Sequence, residues 1–168
     1  QLVANQAANG PAMSTLTPEA GRAAAAEGLA AGNGPRAAGV AVRDRSIPGP
    51  SGDLLIRLYH PSDAQGLVPG VLFMHQGGWV IGDLDSCDTF CSRLAAELGA
   101  VVVSLDYGLG PEHQLPSQHA DADAAFEAAN TGRSADLQTA KDATRLNEGL
   151  AYGAFGLAAL ALTLGALD

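Results

Sequence analysis

Basic residues are scarce in this chain: nine Lys plus Arg stand against 18 Asp plus Glu, a formal net charge of −9. A surface that acidic repels phosphate backbones and anionic lipid heads, which argues against nucleic acid as a partner. Cysteine is limited to Cys87 and Cys91. A disulfide-built secreted scaffold carries more, so a reducing, cytoplasmic setting is expected. The pair lies four residues apart in a segment that reads as helix, where a bridge would constrain almost nothing. With no histidine nearby, two such thiols read as small buried apolar residues rather than metal ligands. Residues 1–10 have neither a basic stretch nor an apolar core, so no typical signal peptide is read there. Met13-Ser14-Thr15 resembles a natural start, which would make residues 1–12 a leader or an expression remnant. No internal repeat is present.

What is there suits one α/β domain. The chain has 168 residues and 47% hydrophobic content, enough for a single core. Thr17-Pro18-Glu19 is a helix start, the Ala-rich run to Ala31 continues it, and Gly32-Asn33-Gly34-Pro35 stops it. Val40 to Arg45 and Leu54 to Tyr59 read as a half-covered hairpin turning at 48–52. Val71 to Met74 and Val101 to Leu105 are nearly continuous apolar runs, the pattern of strands buried on both faces. Between them, Phe90, Cys91, Leu94, Ala95 and Leu98 recur at helical spacing before Gly99, which makes a strand–helix–strand crossover. A further helix is expected over Asp121–Ala129. The sheet is expected to be mainly parallel and flanked by helices. Residues 1–39 are taken as an N-terminal segment with a cap-like helix, and 40–168 as the α/β core.

Residues 149–167 contain no charge and are apolar almost throughout. The preferred reading is a core helix packed closely on the sheet; the alternative is a membrane anchor, with Gly149 and Gly153 suited to helix contact.

The chemistry-bearing segment follows the first buried strand: His75-Gln76-Gly77-Gly78-Trp79-Val80-Ile81-Gly82-Asp83. Paired glycines at a strand's C-terminal end let the backbone bend and present bare N–H groups, which can stabilise an oxyanion. This run is similar to the oxyanion-hole signature of the hormone-sensitive-lipase type of α/β-hydrolases, His-Gly-Gly-Gly followed by Trp or Phe and Val-x-Gly-Asp. Asp106-Tyr107-Gly108-Leu109-Gly110-Pro111-Glu112-His113-Gln114-Leu115-Pro116 resembles that family's Asp-Tyr-Arg-Leu-Ala-Pro-Glu-His-x-Phe-Pro segment. The likeness extends from about Ile47 to Asp123. It implies an α/β-hydrolase fold with the N-terminal half of the sheet represented, and serine-hydrolase chemistry on short acyl esters. It implies no metal or organic cofactor. By this resemblance Gly77, Gly78 and Gly153 would supply oxyanion N–H groups. His75 would organise the loop without being the base, and Glu112 and His113 would brace the loop after the next strand. His60 and His119 read as satisfied structural histidines, and Ser104 as a hydrogen-bonded core hydroxyl.

Departures from the family pattern matter. Gln76 replaces a glycine, whose loss is expected to shift the loop. Gly108 stands for an arginine and Gly110 for an alanine, which is expected to loosen a braced turn. The family holds its serine in Gly-Asp-Ser-Ala-Gly-Gly. Aligning Gly149 and Gly153 with the flanking glycines puts Ala151 at that position; counting from Arg145 puts Tyr152 there. Neither is a serine, and no acid and histidine follow in the order this fold requires. The core is therefore expected to be incomplete at its C-terminus. The reading is a carboxylic ester hydrolase acting on a small-molecule ester through a nucleophile this sequence does not display. The alternative is a catalytically inactive binding or structural protein of the same fold. Open strand edges would be expected to pair with a second copy.

Overall fold

The computed structural model describes residues 15–65, 68–131 and 162–164. Its elements are helix α1 (Pro18–Ala31), strands β1 (Val40–Gly49), β2 (Gly52–Pro61) and β3 (Val68–Met74), a 3-10 turn (Asp85–Cys87) leading into α2 (Asp88–Leu98), then β4 (Val101–Asp106), α3 (Ser117–Thr131) and β5 (Leu162–Leu164). Helix α1 starts at the expected cap: the Thr17 hydroxyl accepts from Ala20 N at 3.3 Å, and proline fills the first turn. Helix α2 ends on Gly99 at φ 57°, a left-handed conformation whose N–H reaches Ala95 O.

The five strands are ordered β1-β2-β4-β3-β5. The crossover read from the sequence is present: β3 and β4 run parallel, with Val71 opposite Val102 and Phe73 opposite Ser104. Parallel pairing is confined to that pair among the described residues, because β1–β2, β2–β4 and β3–β5 are antiparallel. Alternation along the strands sorts the side chains onto two faces. Tyr59, Val71, Phe73 and Val102 pack with Cys87, Cys91 and Ala95 of the α2 side. Ile56, Leu72, Val103 and Leu105 pack with Ala125 of α3, flanked by Ala122 and Phe126. A helix on each face is the expected three-layer arrangement.

Three local expectations change. The hairpin strands run longer, to Gly49 and from Gly52, because pairing persists down to Gly49 opposite Gly52. Pro48 is tolerated because β1 is an edge strand. The outer face of β2 is more than half-covered: Tyr59 is fully buried, and the Arg57 side chain is only 11% exposed. Finally, residues 162–164 do not continue a helix. They form an antiparallel strand, with Val68 opposite Leu164 and Gly70 opposite Leu162, which supplies partners to the free edge of β3. The rest of 149–167 lies outside the described residues, and among those described no helix is long and apolar enough to cross a membrane.

Arg57 can be buried because three carboxylates meet it: Asp44 at 2.7 Å, Asp85 at 2.6 Å and Asp88 at 3.1 Å. Asp88 also accepts from Arg36 and from the Tyr59 hydroxyl at 2.9 Å. Neighbouring bonds stitch the α1–β1 connection to the start of α2: Thr89 N to Asn33 Oδ1 at 3.2 Å, and Ala37 N to Ser92 Oγ at 2.7 Å. The Arg57 hydrogen bond holds the Asp44 carboxyl below its usual range. Burial opposes the Asp88 carboxylate, but bonds from Arg36 and Tyr59 outweigh it and its pKa is also lowered. A carboxyl with a depressed folded-state pKa stabilises the fold above its unfolded value of 3.8 and ceases to as pH falls through the lower folded value. Urea unfolding measured from pH 7 down to pH 2 is therefore expected to show stability falling in the acid region below about pH 4. Arg57→Leu should cost about 2–4 kcal/mol at pH 7 and flatten that acid dependence.

Candidate active site

Strand β3 delivers its chain into a loop that no ordinary turn explains. Gly77 has φ 139°, Gly78 60°, Trp79 62° and Gly82 104°. A tryptophan in the left-handed region is strained by roughly 1–3 kcal/mol and persists only when its surroundings hold it there. Within the loop, Val80 N and Ile81 N both donate to Gly77 O, at 3.2 and 3.1 Å. From outside, Gly110 N donates to Trp79 O at 2.6 Å, and Arg22 Nε donates to Val80 O at 3.0 Å. The N–H groups of Gly77 and Gly78 have no acceptor among the described residues. The two bare backbone donors lie side by side, one on a half-buried and one on an exposed glycine.

His75 anchors the loop from beneath. It is 3% exposed, and its ring stacks on Tyr107 with centroids 4.4 Å apart and 15° between planes. The Tyr107 hydroxyl donates to His75 O at 2.7 Å, and burial pushes its pKa up to about 12. His75 Nδ1 lies 3.0 Å from Gln76 O. A carbonyl only accepts, so this bond is made by the tautomer with its proton on Nδ1. Gly82 passes directly over this ring: a Cβ on it would fall against His75 Nδ1 and lie 2.7 Å from Gln76 O. A Cβ on Gly77 would run into the Ile81 carbonyl, 2.6 Å from its carbon.

Gln76 does not distort the loop as its replacement of glycine suggested. It is not among the positive-φ residues, so a side chain is accommodated without strain, and Gln76 Oε1 accepts from the Cys87 thiol at 3.0 Å. The turn after β4 is not loosened either. Gly108 N donates to Asp121 at 2.9 Å, Gly108 O accepts from Gln118 at 3.0 Å, and a Cβ on Gly108 would sit 2.6 Å from the His113 ring. The small residue is what lets His113 pack against this turn. Position 110 has room for an alanine, its nearest contact being 3.5 Å.

Glu112 sits on the surface, and Arg22 holds its carboxyl below the usual range. Arg22 reaches Glu112 at 3.1 and 2.5 Å and Gly110 O at 2.7 Å. His60 and His119 are both exposed, His60 with Nδ1 2.8 Å from Pro61 O. Ser104 is buried as expected, but its hydroxyl has no hydrogen-bond partner among the described residues. Burial raises the pKa of Cys87 and pushes that of Cys91 up to about 12, so neither is a thiolate at neutral pH. An open cleft of about 470 Å³ runs past Arg22, Leu54, Asp106, Tyr107 and His113, and neither Gly77 nor Gly78 lines it. Ala151, Tyr152 and Gly153 lie outside the described residues. Sequence reasoning missed Arg22, Tyr107, Gln118 and Asp121. Arg22 left a signal as the sole basic residue of an Ala-rich helix, and Tyr107 left one as the tyrosine of the Asp106–Pro116 motif, though without a role.

Two measurements check this geometry. Gly82→Ala is expected to lower the unfolding free energy by at least about 2 kcal/mol, from the unfavourable φ together with overpacking against His75, as read by urea denaturation. Both cysteines are expected to resist alkylation in the native protein and to react fully once it is denatured.

Residues 71–147 match the family model of the alpha/beta hydrolase fold. Over 87 residues the chain is 46% identical to the carboxylic ester hydrolase LipN of Mycobacterium tuberculosis, a match covering 52% of this chain and 23% of that protein. Among solved structures, it superposes on an ester hydrolase from the metagenome of Lake Arreo with a TM-score of 0.70 and 33% identity, covering 76% of this chain and 41% of that one. An esterase of Pyrobaculum calidifontis aligns with a TM-score of 0.61 and 36% identity, over 69% of this chain and 38% of that one. The chain thus spans about a quarter of LipN and about two fifths of these structures. Its partial sheet with flanking helices has the α/β-hydrolase fold, and over the matched residues the chain is similar to ester hydrolases of that fold.

Proposed function

We propose that the protein is a carboxylic ester hydrolase of the cytoplasm acting on small esters with short acyl groups, and that Gly77 and Gly78 donate to the oxyanion formed when the ester carbonyl is attacked. The observation that carries the reading is the pair of N–H groups without an acceptor among the described residues, on a loop bent to expose them. Each such donor, aimed where negative charge develops, is worth about 10²–10³ in rate. His75 and Tyr107 contribute by fixing the base of the loop, and no proton transfer is assigned to them. A serine is the nucleophile that this chemistry calls for. Ala151 or Tyr152 at the corresponding position favours a second reading, a non-catalytic binding protein with the same donors.

Hydrolysis of p-nitrophenyl acetate and labelling by a fluorophosphonate, read by intact mass, separate the two. Turnover above the buffer rate with a single stoichiometric adduct is the expected result. No turnover and no adduct would sink the hydrolase reading and leave the binding one.

A further inference from the structure

We infer that Arg22 of α1 is a positioning residue for the Gly77–Gly78 donors, holding the strained loop after β3 in its donor-exposing shape. This rests on the reading of those two N–H groups as oxyanion donors.

A loop with four consecutive or near-consecutive positive φ values, one of them on tryptophan, does not hold itself. Its internal bonds, from Val80 N and Ile81 N to the single acceptor Gly77 O, close the turn but tie it to nothing. Among the described residues, Arg22 is the one side chain that hydrogen-bonds to residues 77–81, through Nε to Val80 O at 3.0 Å. The same guanidinium donates to Gly110 O at 2.7 Å, and Gly110 N in turn donates to Trp79 O at 2.6 Å. A ring results in which α1, the loop after β3 and the loop after β4 meet on one planar group. Glu112, bound through both carboxylate oxygens, fixes the plane of that group. Four of the five guanidinium N–H groups are used, each in a direction that lysine could not reproduce together. The Arg22 side chain is 26% exposed and lies outside the apolar core, so its truncation removes the ties without opening a cavity beneath the sheet.

The test compares Arg22→Ala, Arg22→Lys, Glu112→Gln and Arg36→Ala in the full chain. Two readouts are local: emission of Trp79, the one tryptophan in the sequence, and hydrogen exchange of the Val80, Ile81 and Gly110 amides. Arg36 is the control because it ties the segment after α1 to Asp88, away from the loop. Arg22→Ala is expected to speed exchange at all three amides at least about tenfold and to shift Trp79 emission, while β3 and β4 amides keep their protection. Arg22→Lys should restore little of this. Glu112→Gln, which leaves the two carbonyl bonds in place, should change it much less. Wild-type exchange and emission in Arg22→Ala would overturn the inference, and so would an equal effect from Arg36→Ala, which would reduce Arg22 to general docking of α1. If Arg22→Ala does not fold, Arg22→Lys carries the same comparison. These readouts need no ester turnover, so failure of the hydrolase reading and failure of this one remain distinct.

Discussion

Backbone N–H groups can receive an oxyanion only if nothing inside the protein has already claimed them. Within a folded chain that is a demanding condition, because nearly every buried donor is paired. The segment 77–82 meets it by leaving the allowed regions that would pair those donors, and the rest of the site follows from holding it there. The stacked His75–Tyr107 pair lies under the loop, Gly110 takes the Trp79 carbonyl, and Gly82 is bare so that the chain can cross the imidazole. Each feature removes a freedom that the left-handed residues would otherwise use to relax.

The support is not local. Tyr107 follows β4, Gly108 is tied to α3 by Asp121 and Gln118, and Arg22 belongs to a helix that lies before the sheet in sequence. On the α2 side, the Arg57 cluster plays the matching part for the scaffold. A guanidinium on the face of β2 is acceptable in a nearly closed setting because Asp44, Asp85 and Asp88 surround it, and the same charges fasten α2 over the strands.

Much of this was legible from residue order. The cap at Thr17, the stop at Gly99, the two buried strands and the glycine pair after the first all follow from local chemistry that a chain cannot hide. What was not legible depended on distance. Nothing near Gln76 says that its φ is ordinary or that Cys87 waits for its amide. Gly108 read as a loosened turn because the sequence does not show that the His113 ring needs the space a Cβ would fill. Residues 162–164 read as helix because periodicity cannot report an open strand edge 92 to 96 residues earlier. Arg22 was a lone cation in a run of alanines until its three partners, 58 to 90 positions away, were in view.

The strand order carries a consequence for how such a chain assembles. Because β4 lies between β2 and β3, the hairpin β1–β2 and the unit β3–α2–β4 are each closed by near neighbours in sequence, whereas the seam joining them is β2 against β4. Along that seam Arg57 faces Ser104 and Tyr59 faces Val102, the same two β2 residues that reach across to Asp88. Pairing the two units along that seam is therefore what encloses the guanidinium and the phenol. The charged contacts to Asp88 thus add register discrimination to a seam whose apolar faces alone would tolerate a slip.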